Sequence, residues 1–347
     1  MRTPLVSIII INWNGKKDIG MCLKSLAKST YKKFEIILVD NASTDGSVDY
    51  VKKYYPYVSL IRNSNNIGFV LAHEQALKIA KGEAILLLNA DTIGGSKFLL
   101  YLVKRLNSDK AIGVVQPKIL LDPDRDLIDS IGSFFLPNGL LYHYGREKDE
   151  TLPQYNIPFE IFSAKGACML IKREVIKRVG LFDPDFFAYY EETDFCMRVW
   201  MAGWRVFYEP KARVYHKGGR SAIQQPAAFI QFHAYKNALF TYMKNLSTRY
   251  LFRILPLFIF YYFLGFMFYM VSGKFIMAFT IARAVWWNVL KIPNTVKKRA
   301  YIQRKLRRIH DEDYLPKLAH PVRLSYYYHQ FFGKLSDYAD LKLRAFP

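Results

Sequence analysis

Ala84-Ile85-Leu86-Leu87-Leu88-Asn89-Ala90-Asp91 runs from an unbroken apolar stretch into an amide and then a carboxylate. A short apolar run that does not alternate with polar residues suits a strand buried on both faces of a parallel sheet. Asp91 then emerges at the carboxyl end of that strand, where open α/β sheets bind their ligands. Val6 to Ile11 and Glu35 to Val39 repeat the pattern, and Ser59 to Ile61, Val114 to Gln116 and Arg205 to Phe207 read as further strands. Between them Ile19, Cys22, Leu23 and Leu26, and later Leu71, Ala76, Ile79 and Ala80, recur at helical spacing. Strand and helix in alternation imply an α/β fold, a mixed but mostly parallel Rossmann-like sheet flanked by helices. Ala164 to Lys172 reads as a late strand, and Thr193 to Ala202 as a helix stopped by Gly203.

With 51% hydrophobic and 16% aromatic residues among 347, the chain is no disordered protein. Cys22, Cys168 and Cys196 form no CxxC pair, so neither a disulfide framework nor a zinc knuckle is expected, and a reducing compartment is. The apolar run after Met1-Arg2-Thr3-Pro4 lacks a small-residue cleavage pattern and reads as a first strand rather than a signal peptide.

The net charge of +21 is uneven: from Ile223 onward 19 Lys and Arg face 5 Asp and Glu. That excess directs the tail toward a polyanion or an anionic membrane surface. No aromatic-basic recognition module is present, so nucleic acid is not the expected partner. Ile254 to Ser272 is 19 residues without charge, and Phe275 to Ala282 is apolar too. Flanking Arg249, Arg253, Lys274, Arg283 and Lys291, with Trp286 and Trp287, suit interfacial anchors of a re-entrant or in-plane hairpin at a bilayer. A buried helical extension or a dimer interface is the plainer alternative. The expected division is 1–116, 117–222 and a basic helical extension, 223–347.

Two acidic segments carry the chemistry. Asp91, with Asn89 two residues before it, can face a Mg²⁺ or Mn²⁺ ion, which takes one or two protein carboxylates and completes its shell with phosphates and water. His216, ahead of two glycines, is a candidate further ligand. Glu191, Glu192 and Asp194 crowd the start of a helix, where acids favour the dipole. Following Phe186-Phe187-Ala188-Tyr189-Tyr190, one of them is expected to serve as general base. Asp40 ends another buried strand and suits a nucleobase imide or a ribose hydroxyl, whereas Ser43 and Asp45 suit helix capping.

In order, Val6 to Asn14, Val39-Asp40-Asn41-Ala42-Ser43-Thr44-Asp45, Asn66-Ile67-Gly68-Phe69, Leu88-Asn89-Ala90-Asp91, Gly166-Ala167-Cys168-Met169, Gly180-Leu181-Phe182-Asp183 and Glu191-Glu192-Thr193-Asp194 form one series. The series resembles family 2 glycosyltransferases of the GT-A fold, most of all their rhamnosyltransferase-type branch, over about residues 4 to 245. The resemblance implies that Asp40 contacts the base of a nucleotide-diphospho-sugar, with Asn12 and Asn14 in the same pocket and Asn66 and Gly68 near the nucleotide. It implies Asp91, Asn89 and His216 around a divalent cation, Mg or Mn. It also implies Glu192 as base, with Glu191 beside it, and Gly166 and Ala167 on the acceptor side. An inverting transfer to a glycan or lipid-linked acceptor in cell-envelope polysaccharide synthesis, at the cytoplasmic face of the membrane, would follow. The QxxRW motif of processive synthases is missing, which implies non-processive addition. A sugar nucleotidyltransferase and a non-catalytic membrane-binding scaffold are the other readings of the same residues.

Overall fold

The computed structural model of the protein describes residues 3–218, 224–331, 333–341 and 343. The first half alternates as its apolar periods require: β1 (Val6–Asn12), α1 (Lys16–Ala27), β2 (Phe34–Asp40), α2 (Ser47–Tyr54), β3 (Ser59–Arg62), α3 (Gly68–Ile79) and β4 (Ala84–Asn89). β5 (Thr92–Gly94), α4 (Phe98–Ser108) and β6 (Ile112–Leu121) follow. Four short strands come next, β7 (Ile128–Ser130), β8 (Ser133–Phe135), β9 (Leu141–His143) and β10 (Phe159–Glu160). Then come β11 (Cys168–Lys172), α5 (Arg173–Val179), α6 (Glu191–Met201) and β12 (Arg205–His216). The remainder is helical: α7 (Ala227–Asn245), α8 (Thr248–Val271), α9 (Phe275–Leu290), α10 (Ile292–Tyr301), α11 (Asp311–Leu318) and α12 (Leu324–Phe331).

One mixed sheet runs in the order β3-β2-β1-β4-β11-β6-β12-β10. The pairs β1–β2, β1–β4, β2–β3 and β6–β12 are parallel, while β11 enters antiparallel between β4 and β6. Side chains of β1 alternate between the two faces of the sheet. Ile8 and Ile10 pack with α1 residues Ile19, Cys22 and Leu23, and Ile9 packs on the other face with Val70 and Ala76 of α3. Each isoleucine is fully buried, worth about 1.5–3 kcal/mol apiece. All three cysteines are free and buried.

Three elements depart from expectation. Residues 164–167 precede the strand, with a turn at Gly166 and Ala167, which frees those two residues for the cavity described below. β12 runs unbroken from Arg205 to His216 and so carries the histidine on the sheet itself. The loose stretch after Gln116 holds β7 to β9, and its Phe134, Tyr142, Tyr144 and Tyr155 are core residues. Strands of three residues are too short to show a period.

The expected boundary between 222 and 223 lies outside the described residues. Past it, Leu239, Phe240, Tyr242 and Leu246 of α7 share one apolar core with Phe186 and Phe195. α7 is thus built into the α/β body.

Candidate active site

Parallel pairing sets Asn12 across from Asp40 and Ile11 across from Asn89, so β1, β2 and β4 all end on one edge of the sheet. A cavity of about 680 Å³ opens there. Its walls include Asn12, Asn14, Asn66, Gly68, Asn89, Asp91, Gly166, Ala167, Glu191, Glu192 and His216. Candidate residues drawn from six separate segments therefore meet in one place.

The donor-side residues are held by their own chain. Asn12 Nδ2 donates to Asp40 Oδ1 at 2.8 Å and to Ser47 Oγ at 2.9 Å, which leaves Asn12 Oδ1 buried without a partner. Asp40 is fully buried; its second oxygen accepts the Ser43 N–H at 2.9 Å. Asp40 lines no wall of the cavity. Its carboxylate anchors Asn12 and the turn beyond β2, one layer behind the cavity wall that Asn12 forms. Asn14 Oδ1 accepts the Thr44 N–H at 2.9 Å. Gly68 has φ of +86°, and a Cβ there would lie 2.7 Å from the Phe187 ring, so only glycine fits. Asn66 Oδ1 accepts the Gly68 N–H at 3.0 Å. Ser43 Oγ accepts the Asn14 N–H rather than capping a helix, while Asp45 takes the Ser47 N–H.

His216 Nδ1 pairs with Asp129 Oδ2 at 2.8 Å, and His216 Nε2 stands 3.3 Å from Asp91 Oδ1. Burial opposes a charge on this ring, but the bonds to Asp129 and Asp91 outweigh it and push its pKa up to about 9. Asp129, buried as well, also accepts from Lys165 Nζ at 2.6 Å, and His216 and Lys165 hold it well below the usual carboxylate range against the cost of burial. With Nδ1 fixed by a carboxylate, Nε2 is the nitrogen presented to the cavity, an arrangement common behind metal-ligating histidines. A nitrogen and a carboxylate oxygen 3.3 Å apart fit two adjacent ligands of one small divalent cation. Among the described residues no group of three or more His, Cys, Asp and Glu could cage an ion by itself. Such an ion would take its other ligands from substrate phosphates and water. Asn89 lies beside the pair on the same wall, its main chain bonded to Ala167 O at 2.9 Å.

Glu191 and Glu192 open α6, and each keeps one buried oxygen, Oε2, without a partner. Burial and then the neighbouring Glu192 charge push the Glu191 pKa well up. Burial also raises Glu192, opposed by Lys165 and by the hydrogen bond from Glu191. Of the two, Glu191 is pushed up further and is the member that holds a proton more readily, while Lys165 favours the charged form of Glu192. Tyr189 and Tyr190, just before them, both adopt left-handed backbone at φ 68° and 70°, costing about 1–3 kcal/mol each. Asn237 of α7 holds this strained turn by donating to the Ala188 and Tyr189 carbonyls at 2.9 and 2.7 Å.

Asp194 is not brought to the cavity. It is fully buried, 2.9 Å from Arg198 Nε and 2.8 Å from Asn245 Nδ2, and it knits α6 to α7. Its candidacy as a base is therefore withdrawn. Two residues escaped the sequence reading. Asp129 announces itself only as a lone acid in the three-residue strand β7, and Lys165 only as the neighbour of Gly166.

The family model for glycosyl transferase family 2 matches residues 7–180. The chain belongs to that family. It is 24% identical over 257 residues to the N-acetylglucosaminyl-diphospho-decaprenol L-rhamnosyltransferase of Mycobacterium tuberculosis, covering 67% of this chain and 82% of that one. Among solved structures, S. aureus TarS 1–349 in complex with UDP is similar with a TM-score of 0.55 at 17% identity, covering 94% of this chain and 91% of the other. The mannosyltransferase PcManGT from Pyrobaculum calidifontis, solved with GDP-Man and Mn²⁺, is similar with a TM-score of 0.52 at 18% identity, covering 87% and 86%. At such identities the likeness to solved structures is one of fold, here GT-A. As a family 2 member with this fold, the protein is a glycosyltransferase, similar to a rhamnosyltransferase.

Proposed function

We propose that this glycosyltransferase moves a sugar from a nucleotide-diphospho-sugar to a hydroxyl with inversion at the anomeric carbon. The observation that carries the reading is a single cavity lined both by Glu192 and by the His216–Asp91 pair. Residues 1–116 supply the donor side through Asn12, Asn14, Asn66 and Gly68, and residues 117–222 supply the acceptor side through Gly166, Ala167 and the two glutamates.

Glu192 takes the proton of the attacking hydroxyl. Glu191 keeps its own proton, points it at Glu192, and so keeps the base oriented and ionised. Lys165 adds positive charge near both groups. His216, held by Asp129, and Asp91 would bind a divalent cation, Mg or Mn, with Asn89 beside them. Bound there, the ion would supply charge neutralisation for the departing diphosphate. No covalent enzyme intermediate is required, and addition of one or a few sugars is expected.

The mycobacterial relative's name specifies a diphospho-decaprenol-linked acceptor, and the PcManGT complex includes a nucleotide-sugar and Mn²⁺. The first supports a lipid-linked or glycan acceptor in cell-envelope polysaccharide synthesis and the second a nucleotide-sugar donor with a divalent cation; we further place the reaction at the cytoplasmic face of a membrane. The three free cysteines suit that compartment.

A panel of UDP-, GDP- and dTDP-sugars, each with and without Mn²⁺, tests the reading through the product released. Nucleoside diphosphate is expected; pyrophosphate would point to nucleotidyl transfer instead. Loss of diphosphate release in both Asp91→Ala and Glu192→Gln, at unchanged thermal melting, is expected, and full activity in both would overturn the assignment.

A further inference from the structure

The helical hairpin α8–α9 is apolar on two sides, and the fold covers only one. On the covered side Ile254, Phe258 and Tyr262 of α8 are buried, and Tyr262 Oη donates to the Tyr235 carbonyl of α7 at 2.8 Å. Ala278, Ile281 and Ala284 of α9 are buried too, with Gln231 and Asn288 tying α9 to α7 by hydrogen bonds to the Met277 and Lys236 carbonyls at 3.1 and 3.0 Å. The outer side presents Phe263, Phe268, Val271, Phe275, Ile276 and Phe279, with Val271 85% and Ile276 74% exposed. Contiguous large apolar side chains are rare on a free surface and mark a contact.

Charge identifies the occupant. No Asp or Glu occurs on α8, on α9 or in the turn between them, which carry Arg249, Arg253, Lys274 and Arg283. Two copies of this face would repel one another, whereas an anionic bilayer complements it in both respects. Seating on α7 also fixes the mode. α8 is long and apolar enough to cross a bilayer, but a crossing would strip Ile254, Phe258 and Tyr262 from their places, which argues for a hairpin lying in the interface.

The packing register relates this surface to the cavity. Tyr235 meets Tyr262 and Tyr242 meets Phe258, so α8 runs antiparallel to α7. Gln231 meets Met277 and Lys236 meets Asn288, so α9 runs parallel to it. The hairpin turn at Ser272, Gly273 and Lys274 therefore sits at the N-terminal end of α7, where Phe229 lies, and Gln224, Gln225 and Phe229 line the cavity. Phe229 packs edge-on against Phe187, ring centres 5.5 Å apart, directly before the strained turn and the glutamates.

We infer that the outer face of α8–α9 seats in one leaflet of an anionic phospholipid bilayer and turns the cavity mouth toward that surface. An acceptor hydroxyl carried on a membrane-anchored molecule then meets Glu192 without leaving the lipid. The acceptor clause rests on the glycosyl-transfer reading; the seating does not.

Flotation of the full chain with vesicles of phosphatidylcholine containing 30% phosphatidylglycerol, against pure phosphatidylcholine, tests the seating. The protein is expected to float with the anionic vesicles and less so in high salt. Val271→Asp/Ile276→Asp, at exposed positions that leave the melting temperature unchanged, is expected to cut the bound fraction at least fivefold. Equal flotation of the variant, or a wild-type protein that stays unbound, overturns the inference. So does a dimer in light scattering that the variant abolishes without any vesicle binding. Energy transfer to a rhodamine lipid tests the orientation: a dye at Gln225→Cys should transfer more than one at Lys110→Cys, beyond the opposite edge of the sheet, and the reverse order overturns it. Vesicle binding without release of nucleoside diphosphate from any donor would sink the transferase reading alone; release without binding would sink the seating alone.

Discussion

His216 Nε2 and Asp91 Oδ1 stand 3.3 Å apart, although one residue ends β12 and the other follows β4. Antiparallel pairing of β5 with β12 sets Thr92 opposite His216 and so brings the two side chains together. With its pKa raised to about 9, His216 carries a proton at neutral pH when no metal is present. Metal must displace that proton. Mn²⁺ affinity should therefore climb about tenfold per pH unit from 6.5 to 8.5 and level off above about 9. Calorimetry in buffers of different ionisation enthalpy should find close to one proton released; a pH-independent affinity would contradict the pairing. The metal-free fold carries the complementary signature. Stability contributed by the raised His216 pKa is complete below its unfolded value near 6.5. It fades as pH rises toward 9, which thermal melts across that range will show.

Asp129 holds the histidine from behind, so Asp129→Asn should weaken Mn²⁺ binding by about 10–100-fold. The turnover rate at saturating metal should fall much less. A metal titration of activity separates the two effects; an equal loss at every metal concentration would argue against a positioning role.

The two glutamates should respond differently to the same change. Glu192→Gln is expected to lower kcat by about 10²–10⁴-fold. Glu191→Gln keeps a neutral donor in place and should retain activity within about tenfold, an order-of-magnitude expectation for a non-transferring hydrogen bond. Burial raises Glu192 above the ordinary glutamate range. The rate should accordingly drop as pH falls through that raised value, and a pH profile with its acid limb at or below the ordinary range would count against Glu192 as base.

Arg198 is 5% exposed and bonds Asp194 together with the carbonyls of Val179, Gly180 and Leu181. Arg198→Ala leaves Asp194 with Lys244 Nζ at 3.1 Å but strips the arginine from it and from three buried carbonyls, and should cost about 1–3 kcal/mol in denaturant unfolding. Asp194→Asn should melt lower yet transfer sugar at close to the normal rate per folded molecule. Inactivity in a fully folded Asp194→Asn protein would restore Asp194 to the chemistry.

Gly68→Ala forces a side chain into the Phe187 ring and carbonyl, both under 3 Å from the added carbon, at φ of +86°. The loop leading to Glu191 must shift, so kcat should fall more than the melting temperature suggests. An unchanged kcat would show that the loop yields freely.

Much of this was legible beforehand because buried parallel strands advertise themselves. β1, β2 and β4 are continuous apolar runs, and Asn12, Asn89 and Asp91 follow from where those runs stop. Asp40 ends its strand as read, but the fold turns it inward to Asn12, a rotation that strand position alone does not specify. Asp194 was misjudged because a first-turn acid looks the same whether it faces a cavity or, as here, an arginine one turn on and an asparagine from α7. Asp129 stayed hidden because its meaning comes from Lys165 and His216, both remote in sequence and joined only by the sheet.

Asn237 ties the turn at Ala188 and Tyr189, just ahead of the two glutamates, to α7, and that amide limits how the molecule can be divided. A chain cut before α7 would keep every residue proposed for donor and acceptor yet lose the clasp that keeps two tyrosines in an unfavourable backbone state. The helical tail is thus no interchangeable cassette: grafting another anchor onto this body would have to bring an equivalent clasp with it, or the glutamates would relax out of register with the sugar.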